Sequence, residues 1–284
     1  RGGLMQRIII LILLSLCLNG CVRNSQYYMP DGDASFESEA REIAVNAEAS
    51  MRRKYTLLNE AQILTRLNTI SDRLESHMVH NHINPYVYVV ATPSYANAGT
   101  GGANIYFGNS LISALGTDDR IAYVIAHELA HIDCYHPLRT FKHAARTRWM
   151  TYGATQLVNI GLAFVPGISA SPLLSVIVPN SVGLFNSVTS HMMHNGYKRS
   201  FEYQADQEAI RLMHQAGYDA EAALRALSII RRLQERSHSR AIHVEVLSTH
   251  PVPEKRITRI REVISEYKRE KREGSGSGSG DIHG

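Results

Sequence analysis

His127-Glu128-Leu129-Ala130-His131 is a His-Glu-x-x-His sequence inside a segment with helical periodicity. Residues four apart on a helix stand above one another on one face, so the two imidazoles can bind one zinc ion. Glu128 then lies beside them as a base for the metal-bound water. Such a short pattern also arises by chance, and the competing interpretation is a surface helix whose histidines happen to align.

The residues around the motif favour a functional helix. Thr117 precedes Asp118 and Asp119, which is typical of a helix N-terminus. Apolar residues then follow at helical spacing and predict a helix over about residues 118–135, with its polar face on a cleft. Two histidines and a glutamate are costly to bury without a function. The apolar positions are Ile121, Val124, Ile125 and Leu129.

The N-terminal region resembles a bacterial secretory signal. After Met5, Arg7 supplies a positive charge, and residues 8–18 form an apolar run that is too short to span a bilayer comfortably. The run ends at Leu18-Asn19-Gly20-Cys21, which resembles a lipobox.

This resemblance predicts that residues 1–20 are removed and that Cys21 is the lipidation site. Several acyl chains on one residue anchor a protein stably. Val22 stands where an aspartate is the usual inner-membrane retention signal, so the expected location is the outer membrane, at its periplasmic face. An uncleaved membrane anchor is the alternative.

Cysteine usage and charge agree with this compartment. The chain has three cysteines, of which Cys17 lies in the signal and Cys21 carries lipid, so Cys134 has no intramolecular disulfide partner. Two roles remain possible for Cys134, a buried structural thiol and a fourth metal ligand. The formal net charge of +4 gives no electrostatic reason to expect nucleic acid as a partner.

The remaining chain is predicted to form one mostly helical α+β domain over residues 35–273. A tether at residues 22–34 precedes it, and a flexible tail at residues 274–284 follows, for which an artificial linker is one interpretation. Strands are predicted at 86–90 and 105–107, with a turn at 99–102 before the second. Further helices are predicted over residues 36–79, 198–216, 219–236 and 252–272.

Residues 154–193 are apolar, rich in small residues and interrupted by prolines and glycines. These breaks argue against one continuous helix. The segment is therefore interpreted as a helical hairpin that packs near the active site, where it covers the cleft or enters the membrane surface. A membrane span is the alternative.

A catalytic zinc needs a third protein ligand and an open position. One class of enzymes supplies a glycine and a histidine shortly after the motif, but this chain has Cys134 and Pro137 there. Another class uses a glutamate from a later helix. Glu202 and Asp206 are four residues apart, so one can bind zinc while the other accepts a hydrogen bond from a ligand histidine. On spacing alone, an ordinary charged helix face explains the pair equally well.

Three motifs in sequence order resemble metallopeptidase family forty-eight, over roughly residues 40–270. The members of this family include CAAX prenyl proteases, HtpX and the periplasmic peptidases BepA, LoiP and YcaL. The predicted signal and lipobox resemble the lipoprotein branch close to LoiP and YcaL. The motifs are His127-Glu128-x-x-His131-x-x-x-x-His136, Arg199-x-x-Glu202-x-x-Ala205-Asp206, and Ser248-Thr249-His250-Pro251 followed by Arg256.

The resemblance implies a zincin-like fold of the gluzincin type, with a small β-sheet beside the metal helix and one zinc ion per chain. Zinc ligands would be His127, His131 and Glu202, and Glu128 would be the catalytic base. His250 would act in catalysis by stabilising the oxyanion, or approach the metal and shut the site.

The remaining roles implied by the resemblance are supporting ones. Asp206 would accept a hydrogen bond from a ligand histidine and orient its ring. Arg199 and Arg256 would hold the architecture by ion pairs, and His136 would be structural. The strand at residues 105–107 would pair with an extended substrate.

The expected function is that of a zinc metalloendopeptidase lipoprotein, in which Glu128 assists the attack of zinc-bound water on a peptide bond. By analogy with the family, its substrates are misfolded or misassembled envelope proteins, and the outer-membrane assembly machinery is a candidate partner. The alternative is a periplasmic assembly chaperone for outer-membrane proteins with a latent protease site. A purely structural zinc site is disfavoured, because such sites usually have four protein ligands.

Overall fold

The helix that carries the His-Glu-x-x-His sequence occupies the centre of the domain in this computed structural model. Residues 34–80, 83–91, 98–144, 147, 197–239, 250 and 252–276 are the ones the structure describes. The helices are α1 (Ala34–Lys54), α2 (Ala61–Glu75), α3 (Asn109–Leu115), α4 (Asp118–Asp133), α5 (Arg199–Gln215), α6 (Ala222–Ser239) and α7 (Glu254–Gly276). The strands are β1 (Leu57–Leu58), β2 (Tyr86–Val90), β3 (Ala98–Gly101) and β4 (Asn104–Gly108).

The four strands form one mixed sheet in the order β1-β2-β4-β3. In β2, β-branched residues alternate with tyrosines, and Val87 and Val89 are buried on one face. The strand β4 pairs in parallel with β2 and antiparallel with β3, so both of its edges are hydrogen-bonded within the sheet. A substrate cannot pair with residues 105–107, and that prediction is wrong. Among the described residues, β3 is the edge strand on this side.

Helix α4 begins after Thr117, whose extended backbone ends the preceding turn. Every residue from Ile121 to Asp133 is buried, so the helix has no solvent-facing side. It packs against α5, α6 and α2, and it also contacts β3 and β4. The predicted helix is confirmed; its polar residues face α5, and His127 and Glu128 also line a pocket beside the helix.

Two predicted elements differ from the structure. The helix predicted over residues 36–79 is two helices, because Leu57 and Leu58 leave the helical path and pair with Val90 and Val89 of β2. The turn predicted over residues 99–102 is mostly the strand β3.

The turn between β3 and β4 contains Gly102, which has a φ of +67°. A Cβ atom at this position would lie 2.5 Å from the backbone nitrogen of Ala44 and 2.6 Å from the carbonyl oxygen of Ala40. A glycine is therefore required where helix α1 crosses the end of the edge strand.

The other predicted elements agree to within a few residues, and the mostly helical α+β class is confirmed. The helix α7 continues to Gly276, into the predicted tail. The predicted signal, Cys21, residues 22–33 of the tether and the 154–193 segment lie outside the described residues. No helix within the described ranges is both long and apolar enough to cross a bilayer.

Candidate metal centre

Four buried side chains from three parts of the chain converge beside helix α4. His127 and His131 come from α4, Glu202 from the first turn of α5, and His250 from the segment before α7. One ligand atom from each lies within 4.8 Å of those of the other three. The structure thus brings together all three predicted metal ligands.

The spacing of the three predicted ligands fits a zinc ion. The Nε2 atoms of His127 and His131 are 3.2 Å apart. Each of these nitrogens is 3.4 Å from one of the two carboxylate oxygens of Glu202. Tetrahedral bonds of 2.0–2.1 Å to zinc place ligand atoms about 3.3–3.4 Å apart. Donor type and distance therefore both suit this metal.

Glu128 lies at the edge of the same cluster with a buried carboxylate. Its Oε1 is 3.5 Å from Nε2 of His250, and its Oε2 has no hydrogen-bond partner among the described residues. Burial raises the pKa of Glu128 above its ordinary value. A buried carboxylate with an unsatisfied oxygen and a raised pKa suits a group that exchanges protons with a bound water.

The second ring nitrogen of His127 faces Asp206, as predicted. Nδ1 of His127 is 3.1 Å from Oδ1 of Asp206, which also accepts a 3.0 Å hydrogen bond from the hydroxyl of Tyr123. A carboxylate in this position fixes the ring so that Nε2 points at the metal position. Burial lowers the pKa of His127, but Asp206 and Glu202 outweigh this effect and raise it to about 9.

Arg256 joins the two carboxylates of α5 through a buried guanidinium. Its Nε and Nη2 donate to Asp206 at 2.8 and 2.7 Å, and its Nη1 lies 2.9 Å from Oε2 of Glu202. Burial raises the pKa of Asp206, but Arg256 opposes this effect and the pKa falls to about 2. Arg256 therefore keeps Asp206 ionised and aligns both acids, whereas the three surrounding histidines hold the pKa of Glu202 low.

Arg199 does not join this arrangement. It is the first residue of α5 and is exposed, and no ion pair with the buried acids is present in the described part of the chain. Both arginines were expected to form ion pairs that hold the site, and the structure places only Arg256 in contact with the site. Arg256 stands four residues before Ile260, so the helical periodicity of α7 places it beside the apolar stripe that faces inward.

His136 contacts the second ligand histidine. Its Nδ1 is 2.8 Å from Nδ1 of His131, and its Nε2 is 3.2 Å from Oε1 of Gln204. The ring also stacks on Phe201, with the two ring centres 4.2 Å apart. Burial lowers the pKa of His136 to about 3, so the ring is neutral.

These contacts define a single arrangement of ring protons. When His131 binds a metal through Nε2, its Nδ1 carries the hydrogen and donates it to Nδ1 of His136. His136 must then carry its own hydrogen on Nε2, where it donates to the side-chain oxygen of Gln204. The expected structural role of His136 is thus to fix the tautomer of His131.

Tyr197 was not predicted to contribute, yet it packs directly on the metal site. Its ring stacks on His131 with a centre separation of 4.1 Å, and its hydroxyl is 2.7 Å from the hydroxyl of Thr100 in β3. This contact connects the edge strand to a ligand histidine. Tyr197 lies outside the three motifs and has no periodic pattern, so the sequence gave no signal for it.

His250 occupies a position among the ligands rather than at a distance from them. Its Nδ1 is 2.8 Å from Oε1 of Glu202 and 3.4 Å from Nε2 of His127. Cys134 is not part of this cluster, and burial raises its thiol pKa to about 12, which leaves the thiol protonated.

The chain is similar to known proteases of two bacteria. The chain is 22% identical over 213 residues to the beta-barrel assembly-enhancing protease of Escherichia coli, covering 74% of this chain and 41% of that protein. It is 29% identical over 154 residues to the putative beta-barrel assembly-enhancing protease of Vibrio cholerae, covering 53% and 28%. The chain thus spans less than half the length of these relatives.

A family match covers most of the domain. Residues 57–264 match the sequence profile of Peptidase family M48, from β1 into α7, and this range contains every residue of the metal centre. The mostly helical domain with a small mixed sheet beside the metal helix is consistent with the zincin-like fold expected for such a peptidase. The chain belongs to Peptidase family M48, a family of metallopeptidases.

Proposed function

We propose that this protein is a zinc-dependent endopeptidase that hydrolyses peptide bonds of envelope proteins. One observation carries the proposal: the Nε2 atoms of His127 and His131 lie at zinc-ligand spacing from each other, and each lies at that spacing from a different carboxylate oxygen of Glu202. The carboxylate of Glu128 is buried beside them. A catalytic zinc site has three protein ligands and a nearby base, whereas structural zinc sites usually have four protein ligands.

The residues of the site divide the chemistry between them. His127, His131 and Glu202 would hold the zinc ion, which would supply a Lewis acid for the scissile carbonyl and for the attacking water. Glu128 takes the proton from the attacking water and delivers it to the leaving amine. Its raised pKa brings it closer to the pH at which such a transfer works in both directions. Asp206 and His136 keep the two histidines oriented.

The edge strand β3 is the element that we assign to substrate binding. It pairs with β4 on one side only within the described residues, and Thr100 on this strand contacts Tyr197 beside His131. An extended peptide that adds to this edge would pass directly over the metal centre.

A second candidate function rests on the position of His250. Its Nδ1 lies within 3.4 Å of a ring nitrogen of His127 and a carboxylate oxygen of Glu202, so it would act as a fourth protein ligand in place of a water or a substrate. A site closed in this way suits a latent protease in an assembly chaperone for outer-membrane proteins. The relatives named beta-barrel assembly-enhancing protease agree with either function.

The decisive experiment uses the purified full chain with and without Glu128→Gln. We expect about one zinc per chain in both proteins, cleavage of an unfolded casein by the parent, and no cleavage by the variant. Glu262→Gln, an exposed change on α7, is the matched control and should cleave normally. A parent that binds no zinc contradicts the proposal.

The chaperone candidate is separated by complementation. A strain that lacks this protein and has a leaky envelope is supplied with the parent or with Glu128→Gln. Full rescue by the variant supports the chaperone, and rescue by the parent alone supports the peptidase.

The proposed location is the periplasmic face of the outer membrane, through lipid on Cys21. The lipobox-like sequence before this cysteine supports it. Metabolic labelling with a fatty acid should mark the parent, and Cys21→Ser should abolish both the label and sedimentation with outer membranes. An equally labelled variant would contradict this anchor.

A further inference from the structure

The edge strand β3 has almost no side chains with which to hold its own position. Its sequence is Ala98-Gly99-Thr100-Gly101, so Thr100 carries the only side chain longer than a methyl group. Strands that are rich in glycine pack weakly, and their register is weakly specified. Beyond the ladder with β4 and the tight turn at Gly102, the buried side chain of Thr100 is therefore the one best able to hold this strand in place.

Alternate residues of β3 face the metal centre at two different points. Ala98 borders a small cavity together with Glu128. Thr100, two residues further along, points to the same face of the strand, and its hydroxyl is 2.7 Å from that of Tyr197. The strand thus runs beside the metal centre, from the side of the catalytic base to the side of His131. A small shift of β3 would move a paired peptide relative to the metal position.

Tyr197 joins Thr100 to a ligand histidine through a rigid ring. The ring is stacked on His131, with the two centres 4.1 Å apart and the two planes inclined by 19°. No rotatable bond separates this ring from the hydroxyl oxygen that meets Thr100. Since both ends of the phenol are in contact, the side chain is a spacer of fixed length between the strand and the metal ligand.

We propose that Tyr197 is a positioning residue that fixes the distance between β3 and the metal centre. The inference rests on the proposed peptidase function and on the assignment of β3 to substrate binding. Without the hydroxyl of Tyr197 the strand moves more freely, and an extended peptide must immobilise it in order to pair. This cost weakens the binding of peptides that reach β3, but it does not alter the reaction at the metal once the peptide is bound.

Hydrogen exchange tests the strand itself, before any substrate is added. In the zinc-loaded full chain, Tyr197→Phe keeps the stacked ring and removes only the hydroxyl. Because one hydrogen bond contributes modestly to stability, we expect the β3 amides that are bonded to β4 to exchange about two- to tenfold faster. Tyr203→Phe removes the hydroxyl of a half-buried tyrosine of α5 and is the matched control, which should exchange like the parent. Equal exchange of β3 in the two variants contradicts the proposal.

Cleavage of two peptides separates positioning from a general loss of structure. One peptide is long enough to pair along β3, and the other ends next to the cleaved bond. For Tyr197→Phe, we expect KM for the long peptide to rise about two- to tenfold, with kcat and KM for the short peptide unchanged. A loss of folded protein would instead lower the apparent kcat for both peptides equally, and that result contradicts a positioning role.

Thr100 tests the same bond from its other end. Thr100→Val removes the hydroxyl and should raise KM for the long peptide as Tyr197→Phe does, whereas Thr100→Ser retains the hydroxyl and should resemble the parent. Thr100→Val and Tyr197→Phe together should do no more than either change alone, because both remove one bond. Additive effects of the two changes would show that the bond is not the cause.

Failure of this inference is distinguishable from failure of the proposed function. If the parent cleaves neither peptide, the peptidase is refuted, and hydrogen exchange still decides whether Tyr197 holds β3. If the parent cleaves both peptides but Tyr197→Phe leaves KM for the long peptide unchanged, the positioning role alone is overturned.

Discussion

Nδ1 of His136 lies 2.8 Å from Nδ1 of His131, so a neutral histidine and not a carboxylate holds the second ligand in place. The two ligand histidines therefore have different supports, since His127 faces Asp206. Asp206 and Glu202 together raise the pKa of His127, whereas Glu202 alone does not offset the effect of burial at His131. The pKa of His131 accordingly falls well below its ordinary value, while that of His127 rises.

Removing the imidazole of His136 should weaken metal binding without removing a ligand. In His136→Ala, Nδ1 of His131 has no acceptor that fixes its hydrogen, and the ring of His131 can rotate. We therefore expect zinc affinity to fall by about 10–100-fold. Competition with a chromogenic chelator measures it. His143→Ala removes an exposed histidine that follows His136 in the chain, and it should bind zinc normally. Equal affinities in the two variants would show that His136 only fills space.

The guanidinium of Arg256 should contribute more to stability than any exposed arginine of α7. Arg256→Met leaves Asp206 and Glu202 buried without their cation, and we expect the free energy of unfolding to fall by about 3–5 kcal/mol. Urea denaturation of the metal-free proteins measures it. Arg259→Met removes an exposed arginine that lies over the ring of Tyr203, and this change should cost about 1 kcal/mol or less. Similar losses for the two variants would contradict the importance of the buried contacts.

Removal of zinc should lower the melting temperature of the parent. The ligands come from distant parts of the sequence, so the ion binds only the folded chain. A free zinc concentration of 100 times Kd therefore adds about 2.7 kcal/mol to the free energy of unfolding. Calorimetry with and without a chelator measures the shift. The melting temperature of Glu202→Gln should change little when the chelator is added. Glu208 is a half-buried acid of the same helix, and the melting temperature of Glu208→Gln should fall as much as that of the parent. A parent indifferent to the chelator would argue against a metal at this site.

Replacement of His250 separates the two roles that the sequence leaves open for it. Because Nδ1 of His250 lies at ligand distance from His127 and Glu202, we expect His250→Ala to open the site and increase cleavage of unfolded casein several-fold, with zinc retained. If His250 instead stabilises the oxyanion, kcat falls by about 100- to 1,000-fold. Cleavage assays with matched zinc content decide between these outcomes.

Local patterns predicted the parts of this fold that depend on short-range chemistry. Apolar spacing and the Thr117 start identified α4, and the alternation of valine and tyrosine identified β2. The break between α1 and α2 was missed, because Leu57 and Leu58 become a strand only through pairing with β2, which is remote in sequence. The interior position of β4 was missed for the same reason, since strand order depends on the whole sheet.

The site was predictable as far as its motifs reach. Spacing and family resemblance nominated Glu202, Asp206 and His250, and the structure brings all three to the histidines of α4. Tyr197 was not nominated, because a stacking partner needs no fixed spacing from the ring it covers. Arg199 was nominated by its motif yet lies exposed, whereas Arg256 reaches the acids because the chain returns to α5 after a long excursion.

Residue 135 shows why the spacing of five between His131 and His136 carries geometric information. Residues five apart on a continuous helix point about 140° away from each other, so their rings cannot touch. They touch here because α4 ends at Asp133 and Tyr135 takes a φ of 53°, a left-handed corner that costs a residue with a side chain about 1–2 kcal/mol. In any chain where these two histidines are in contact, the spacing alone therefore locates the end of the metal helix, to within a few residues and without a structure.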